Sequence, residues 1–434
     1  MRKFFMILYF RMKKFLLALT LIIFTFSPVT AEEDIVLDLD EDYAKASKDV
    51  LVPDPAVLET PFLESEIEKN EVQEIPDISK PQSIETENTK IIDKLKFAAE
   101  DVYKLQIENT RVPASLFKEY TTQHFEKGPL DNIHYWAGFK LDNTTNISGS
   151  DGNTANVLKM SLINVFLDGT FKGGKEDFRI MLDTSPDPAE PFMQHLFQDL
   201  YISTKRIPHH RILVGNSRPG VGYEGAGSAF TLPFAARSQI SRNFGTARKL
   251  GVRVMGNYSL LEYDLGGYSS GTNFSSFFPG AEFDGWVNLK PLGKTNGKYG
   301  KLTLGGGIAA GQRDSQSFNV IGAYIGYRYK RFWTKAEFAN ADGSNGLSGF
   351  TTKQRQGWYV TVGYKLTKKL ELVARYDEFN PDKDIKNNNQ REYSAGINYY
   401  IKGQALRVLL NYVFCQNQAK SDSHRIVVGL QILL

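Results

Sequence analysis

Between Arg218 and Arg253 the chain carries six basic side chains that could do chemistry together: Arg218, Arg237, Arg242, Arg248, Lys249 and Arg253. The stretch 218–248 holds a single carboxylate, Glu224. Basic groups in one-signed company attract small anions, and the arginine fork grips phosphate or carboxylate with two parallel hydrogen bonds. Catalysis would need different residues. An outer hydrolase requires a Ser/His/Asp or His/carboxylate set. The six histidines, His124, His134, His195, His209, His210 and His424, show no metal-ligand spacing. His209-His210 falls in an expected short turn, where solvated rings are the simpler reading. Gly220-x-Gly222-x-x-Gly225 has no strand–turn–helix around it, so it is not read as a nucleotide site. No catalytic residue, metal or cofactor is expected.

The basic stretch is the longest connection in the chain. It also carries glycines (Gly220, Gly222, Gly225, Gly227) and the apolar run Phe230-Thr231-Leu232-Pro233-Phe234. A long loop with its own apolar anchors reads as packed and functional. If the chain forms a barrel, folding inward would bury those anchors against the wall and hold the arginines at the narrowest point. Arg237 and Arg242 lie past the anchor and are the leading candidates there. Arg218 and Arg248 sit at the stems and could pair with wall carboxylates. A solvated external loop binding lipopolysaccharide is the alternative.

The elements that must position this loop are strands. Tyr393, Ala395, Ile397, Tyr399 and Ile401 alternate with Glu392, Ser394, Gly396, Asn398 and Tyr400. Leu406 to Phe414 and Ile426 to Leu434 alternate likewise. Side chains in a strand point to opposite faces with period two. One face is apolar with aromatics; the other is polar, charged or glycine. No helical layer is available to cover the apolar face, so a closed barrel in lipid is the solution the pattern favours.

The expected fold is therefore all-β, a transmembrane antiparallel barrel of about sixteen strands. The strands are expected near 133–143, 156–171, 177–184, 198–205, 211–217, 249–256, 259–266, 281–290, 300–311, 317–329, 331–340, 356–366, 369–379, 391–402, 404–416 and 424–434. Connections alternate between short turns (172–175, 257–258, 329–330, 367–368, 402–403) and long loops (144–155, 185–197, 218–248, 267–280, 341–355, 380–390, 417–423). Short turns on the periplasmic side and long loops outside are the outer-membrane pattern. Tyr327, Tyr329, Phe332, Trp358, Tyr364, Tyr376, Tyr393, Tyr399 and Tyr412 fit aromatic girdles.

The N-terminus is a different kind of chain. Residues 1–31 read as a secretory signal, with Met12-Lys13-Lys14 before an apolar run and Val29-Thr30-Ala31 as the cleavage pattern; Met12 is a candidate start. Residues 32–90 hold 18 acidic against 5 basic side chains. Such a stretch is expected to form an acidic, disordered periplasmic tail. Residues 91–130 are expected to give a short amphipathic helix over 91–107 and a connector. The overall charge of +3 hides a basic barrel region, 131–434, behind that acidic stretch. The single cysteine, Cys415, excludes an intrachain disulfide framework and reads as a small filler residue.

Several short motifs line up in 198–255: Asp199-Leu200-Tyr201, Gly215 with Arg218-Pro219, Ser228, Arg237-Ser238, and Arg248-Lys249-Leu250-Gly251-Val252-Arg253. This set resembles the phosphate-selective porin O and P family, over about residues 130–434. The resemblance implies a trimeric sixteen-stranded outer-membrane barrel with a basic constriction that passes small, phosphate-like anions. Membrane lipids would surround it, and nothing points to nucleic acid.

By alternation, Arg179, Lys205, Arg211, Arg253, Arg328, Lys335, Arg375, Arg407 and Arg425 face the lumen, as do Asp183, Glu262, Asp264, Glu282, Asp284, Glu337, Glu371 and Asp377. The wall is mixed; only the loop is one-signed. Arg375 beside Glu337 and Glu371 is an expected cross-lumen pairing. The rival function is structural: a plugged barrel tethered through its acidic tail to a periplasmic partner.

Overall fold

The computed structural model describes residues 115–149, 152–185, 196–225, 227–245, 247–271 and 278–434. The expected signal segment, acidic tail and 91–107 helix lie outside these residues. A short strand, β1 (Thr122–His124), precedes sixteen long ones. They are β2 (Leu130–Ser148), β3 (Thr154–Phe171), β4 (Glu176–Asp183), β5 (Phe197–Thr204), β6 (His210–Ser217), β7 (Lys249–Asn257), β8 (Leu261–Ser269) and β9 (Ala281–Leu289), followed by β10 (Lys301–Arg313), β11 (Gln316–Tyr329), β12 (Phe332–Gly346), β13 (Gly349–Lys365), β14 (Leu370–Asn380), β15 (Gln390–Lys402), β16 (Leu406–Asn417) and β17 (Ser423–Leu433). Each pairs antiparallel with its neighbour, and β17 pairs back onto β2, closing the barrel. Closure satisfies every strand edge, which a lipid-embedded sheet requires.

The period-two pattern is realised in space. Along β11, Val320 and Tyr324 are buried inside while Ile321 and Ile325 are exposed on the outer face. Tyr329, Phe332, Trp358, Tyr364, Tyr393, Tyr399 and Tyr412 are exposed on the outer face, as a lipid-facing girdle demands. A row of rings crosses adjacent strands from Tyr376 through Tyr393 to Phe414 and His424.

Three connections differ from the sequence expectation, the first being 144–155, where β2 runs to Ser148 and β3 begins at Thr154. The expected loop 341–355 is strand on both sides: β12 runs to Gly346, β13 begins at Gly349, and Ser344 pairs with Thr351. Polar residues on both faces had concealed a wall that rises past the apolar band; side-chain alternation reports lipid contact, and it fades where the strands leave the lipid. The connection 290–300 is conversely a long, turn-rich segment on the short-turn side.

The connector is partly ordered. β1 pairs with β2, and the Leu116 N–H donates to the Leu433 carbonyl at 2.9 Å. Leu116 also packs beside Phe230, Trp136 and Leu433, so the described chain begins at the lumen's short-turn mouth.

Candidate functional site

The loop 218–248 leaves β6, crosses the lumen and returns in β7. Its apolar anchors sit over wall glycines. A Cβ at Gly138 would collide with the Phe230 ring, one at Gly326 with Tyr223, one at Gly357 with Ile240, and one at Gly346 with the Asn243 backbone. Each glycine occupies an inward position of its strand, so the missing side chain makes the seat. Phe230 joins Trp136, Phe166, Met181 and Leu433 in one buried cluster. Val221, Ile240 and Phe244 join Trp286, Tyr324, Tyr359 and Phe379 in another. The lumen therefore contains two apolar cores between loop and wall, and the inward disposition of the loop follows from them.

Polar groups fix the loop's course. Gln431 Nε2 donates to the Phe230 carbonyl at 2.9 Å, Arg407 Nη1 to the Leu232 carbonyl at 2.8 Å, and Asn398 Nδ2 to the Pro233 carbonyl at 3.0 Å. The Ala235 N–H donates to Asn411 Oδ1 at 2.8 Å. Ser238 then caps a five-residue helix, α1 (Gln239–Asn243), whose first N–H donates to Asp377 Oδ2 at 2.7 Å. Loop carbonyls and N–H groups that a crossing segment would leave dry are thus met by wall side chains.

Glu224 is the centre of this anchoring. Its carboxylate lies 3.1 Å from Lys335 Nζ and 3.8 Å from Arg375 Nη1, and accepts the Ser238 N–H at 2.6 Å. Burial alone would raise its pKa, but Lys335, Arg375 and Ser238 outweigh burial and hold it below the ordinary glutamate range. Next to it, Glu337 accepts the Tyr223 N–H at 3.0 Å and the Tyr359 hydroxyl at 2.9 Å. Arg375 meets Glu224 and, at 3.7 Å, Asp377, in place of the expected Glu337 and Glu371. The loop had to be present to supply that partner.

The six basic residues singled out from sequence are placed as follows. Arg248 pairs with Asp199 at 2.6 Å and reaches Gln198. Lys249 pairs with Glu282, and Arg253 with Asp264. Arg242 reaches Glu392 at 2.9 Å, with Arg425 on the same carboxylate at 3.7 Å. Arg237 donates to the carbonyls of Glu224 and Gly227, and Arg218 to that of Gly227 at 3.3 Å. Four therefore meet wall carboxylates, and two fold the loop upon itself.

A second basic group lies on the β3–β6 wall beside the Phe230 cluster, with the Arg179 guanidinium 5.5 Å from the centre of the Phe166 ring. Arg179 pairs with Asp168 at 2.6 Å, and Lys205 and Arg211 both pair with Asp177 at 2.5 Å. The Arg179 and Arg211 side chains retain 22% and 23% exposure, whereas Lys335 and Arg375 under the loop retain 4% and 2%. Solvent thus reaches the β3–β6 side of the lumen. With Arg248 on Asp199 and Arg218 at the loop stem, this stripe sets five cations against four carboxylates, Asp168, Asp177, Asp199 and Asp183, the last also accepting from Ser185. Period-two alternation on β4–β6 puts Arg179, Lys205 and Arg211 in the lumen, but a wall whose cations are paired is a weaker signal in sequence than a one-signed loop.

The model of a family described as phosphate-selective porin O and P matches residues 293–432. That match falls on β10–β17, outside the 198–255 motifs. Among solved structures, the outer membrane channel DcaP of Acinetobacter baumannii is similar at 12% identity, with a TM-score of 0.52, covering 72% of this chain and 99% of that chain. OprB of Pseudomonas putida is similar at 11% identity, with a TM-score of 0.52, covering 70% of this chain and 94% of that chain. No match is found among curated proteins.

Proposed function

We propose that this outer-membrane porin is a diffusion channel for small anions, carried past the paired arginines and lysines of the β3–β6 wall, with the loop 218–248 as the constriction that confines them there. The outer-membrane barrel and its porin character rest on the closed sixteen-stranded fold and the family match. Anion preference is supported by the cation excess along this partly exposed lumen stripe, and by Arg242 and Arg425, 32% and 30% exposed, which share the one carboxylate of Glu392. Charges lining a narrow aqueous path act through low-dielectric walls that focus the field, and arginine and lysine rings favour anions. Pairing with aspartates tempers this field: it holds the guanidinium groups in place without a trap too deep for release, a condition for conduction. Phosphate-like solutes suit the arginine fork. A homotrimer accompanies this reading, as the family resemblance implies.

The test is chloride current through single channels titrated with phosphate. Phosphate is expected to lower the chloride current in a saturable way, and Arg179→Gln with Arg211→Gln is expected to weaken that block. A chloride current indifferent to phosphate in the wild-type chain would remove phosphate-like solutes from the proposal.

A further inference from the structure

The two rims of the barrel carry opposite charge. The connections on the side of the C-terminus are 125–129, 172–175, 205–209, 258–260, 290–300, 330–331, 366–369 and 403–405. Together they hold twelve lysines and arginines and one acidic residue, Glu126. The described residues of the connections on the other side, leaving aside the infolded 218–248, include three basic and four acidic residues. The turn-length pattern makes the basic rim the periplasmic one.

This charge is directed outward, toward lipid, at several points around the ring. Lys298 lies over the Tyr299 ring at 5.3 Å, and Lys330 over the Tyr329 ring at 5.3 Å. Both tyrosines are exposed, and Tyr258, Phe332, Tyr364 and Tyr399 continue the exposed aromatic band just inside the turns. Lys172, Lys175, Lys294, Lys298, Lys368 and Lys369 are themselves exposed. Aromatic rings sit at headgroup depth, and lysines beside them extend their ammonium groups into the phosphate layer.

We propose that the periplasmic rim is a docking ring for anionic phospholipid headgroups of the inner leaflet. The complementarity is one of sign and of shape. Cations spread over most of these turns, with none at 258–260 and 403–405, match a leaflet that surrounds the barrel, whereas a protein partner would be met by one patch. Juxtamembrane lysines gain from an anionic surface within about a Debye length, ~8 Å at physiological salt. The ring therefore selects lipid and fixes the depth of the barrel, independently of what passes through the lumen.

The experiment uses the full chain reconstituted into phosphatidylcholine vesicles containing spin-labelled phosphatidylglycerol or spin-labelled phosphatidylcholine. The fraction of motionally restricted label reports which lipid occupies the perimeter. Wild type is expected to hold phosphatidylglycerol severalfold over phosphatidylcholine at low salt and to lose the preference at high salt. The variant with Lys172, Lys175, Lys294, Lys298, Lys368 and Lys369 each changed to Gln is expected to lose it at all salt concentrations, while six Lys→Arg changes at the same positions retain it. Heat-modifiability on gels checks that each variant is folded. No preference in wild type, a preference that survives high salt, or one kept by the glutamine variant would overturn the proposal. A preference that emerges only after deletion of residues 32–90 would also overturn it, by showing that the chain's own acidic stretch occupies the rim.

Discussion

Lys335 Nζ lies 3.1 Å from Glu224 Oε1, both side chains almost fully buried, and this contact ties strand β12 to the only carboxylate of the lumen loop. Arg375 stands 3.8 Å from the same carboxylate on its other oxygen. One acidic residue thus answers two wall cations from across the lumen. Removing one member of such a set is worse than never having had it, because the remaining charges stay buried without a counter-ion.

Glu224→Gln is expected to loosen the loop, at a cost of about 3–5 kcal/mol, the range for breaking a buried ion pair from one side. Single-channel records would show larger and noisier conductance, and the temperature of heat-modifiability would fall. Unchanged conductance and an unchanged transition would mean the apolar anchors alone hold the loop.

Acid should leave this anchor intact over a wide range. A carboxylate with a depressed folded pKa contributes stability that is present above its unfolded pKa and is lost only as pH falls through the folded value. The Glu224 carboxylate is depressed. The Glu224-dependent part of loop closure is therefore expected to persist down to about pH 4, near the ordinary glutamate value, and to fail only in stronger acid. Comparing conductance noise in wild type and Glu224→Gln across pH checks this; convergence of the two already at mildly acidic pH would contradict it.

Gly138 and Phe230 should behave as a coupled pair. Gly138→Ala puts a methyl into the Phe230 ring and is expected to cost about 1–3 kcal/mol, as overpacking does. Phe230→Ala is expected to cost about 3–5 kcal/mol through the cavity it leaves. In the double variant the methyl enters vacated space, so the costs should fall short of additive by about 0.5–3 kcal/mol. Chemical unfolding in detergent measures all three. Strict additivity would mean that the ring is not seated on Gly138.

Arg237 is expected to matter for folding more than for selectivity. Its guanidinium is committed to the carbonyls of Glu224 and Gly227. Arg237→Gln should lower the heat-modifiability temperature and change ion preference only as far as the loop moves. Arg242, 32% exposed and bridged to Glu392, should show the reverse order of effects.

The barrel was legible because lipid imposes a period that residues such as Ile321, Gly322, Ile325 and Gly326 cannot hide; each expected strand has its counterpart within a few residues. It failed where lipid stops acting, at 341–355. The inward loop was legible from Phe230 and its neighbours. The seats beneath it were not, because an inward glycine such as Gly357 looks like any strand glycine until Ile240 lies over it. The pairing of the basic residues was hidden for a similar reason. Lys249 meets Glu282 and Arg248 meets Asp199 through strand register and loop course, which no local spacing records. A count of loop arginines therefore overstated the free charge at 218–248 and understated the stripe on β4–β6.

The most direct test of an anion path along that stripe is the zero-current potential of single channels in a potassium chloride gradient, for wild type and for Arg179→Gln with Arg211→Gln. Wild type is predicted to lie on the chloride side of zero, and the double variant to shift toward potassium as Asp168 loses Arg179 and Asp177 keeps only Lys205, with the barrel still heat-modifiable. A wild-type potential on the potassium side, or the same potential in both proteins, would contradict the account.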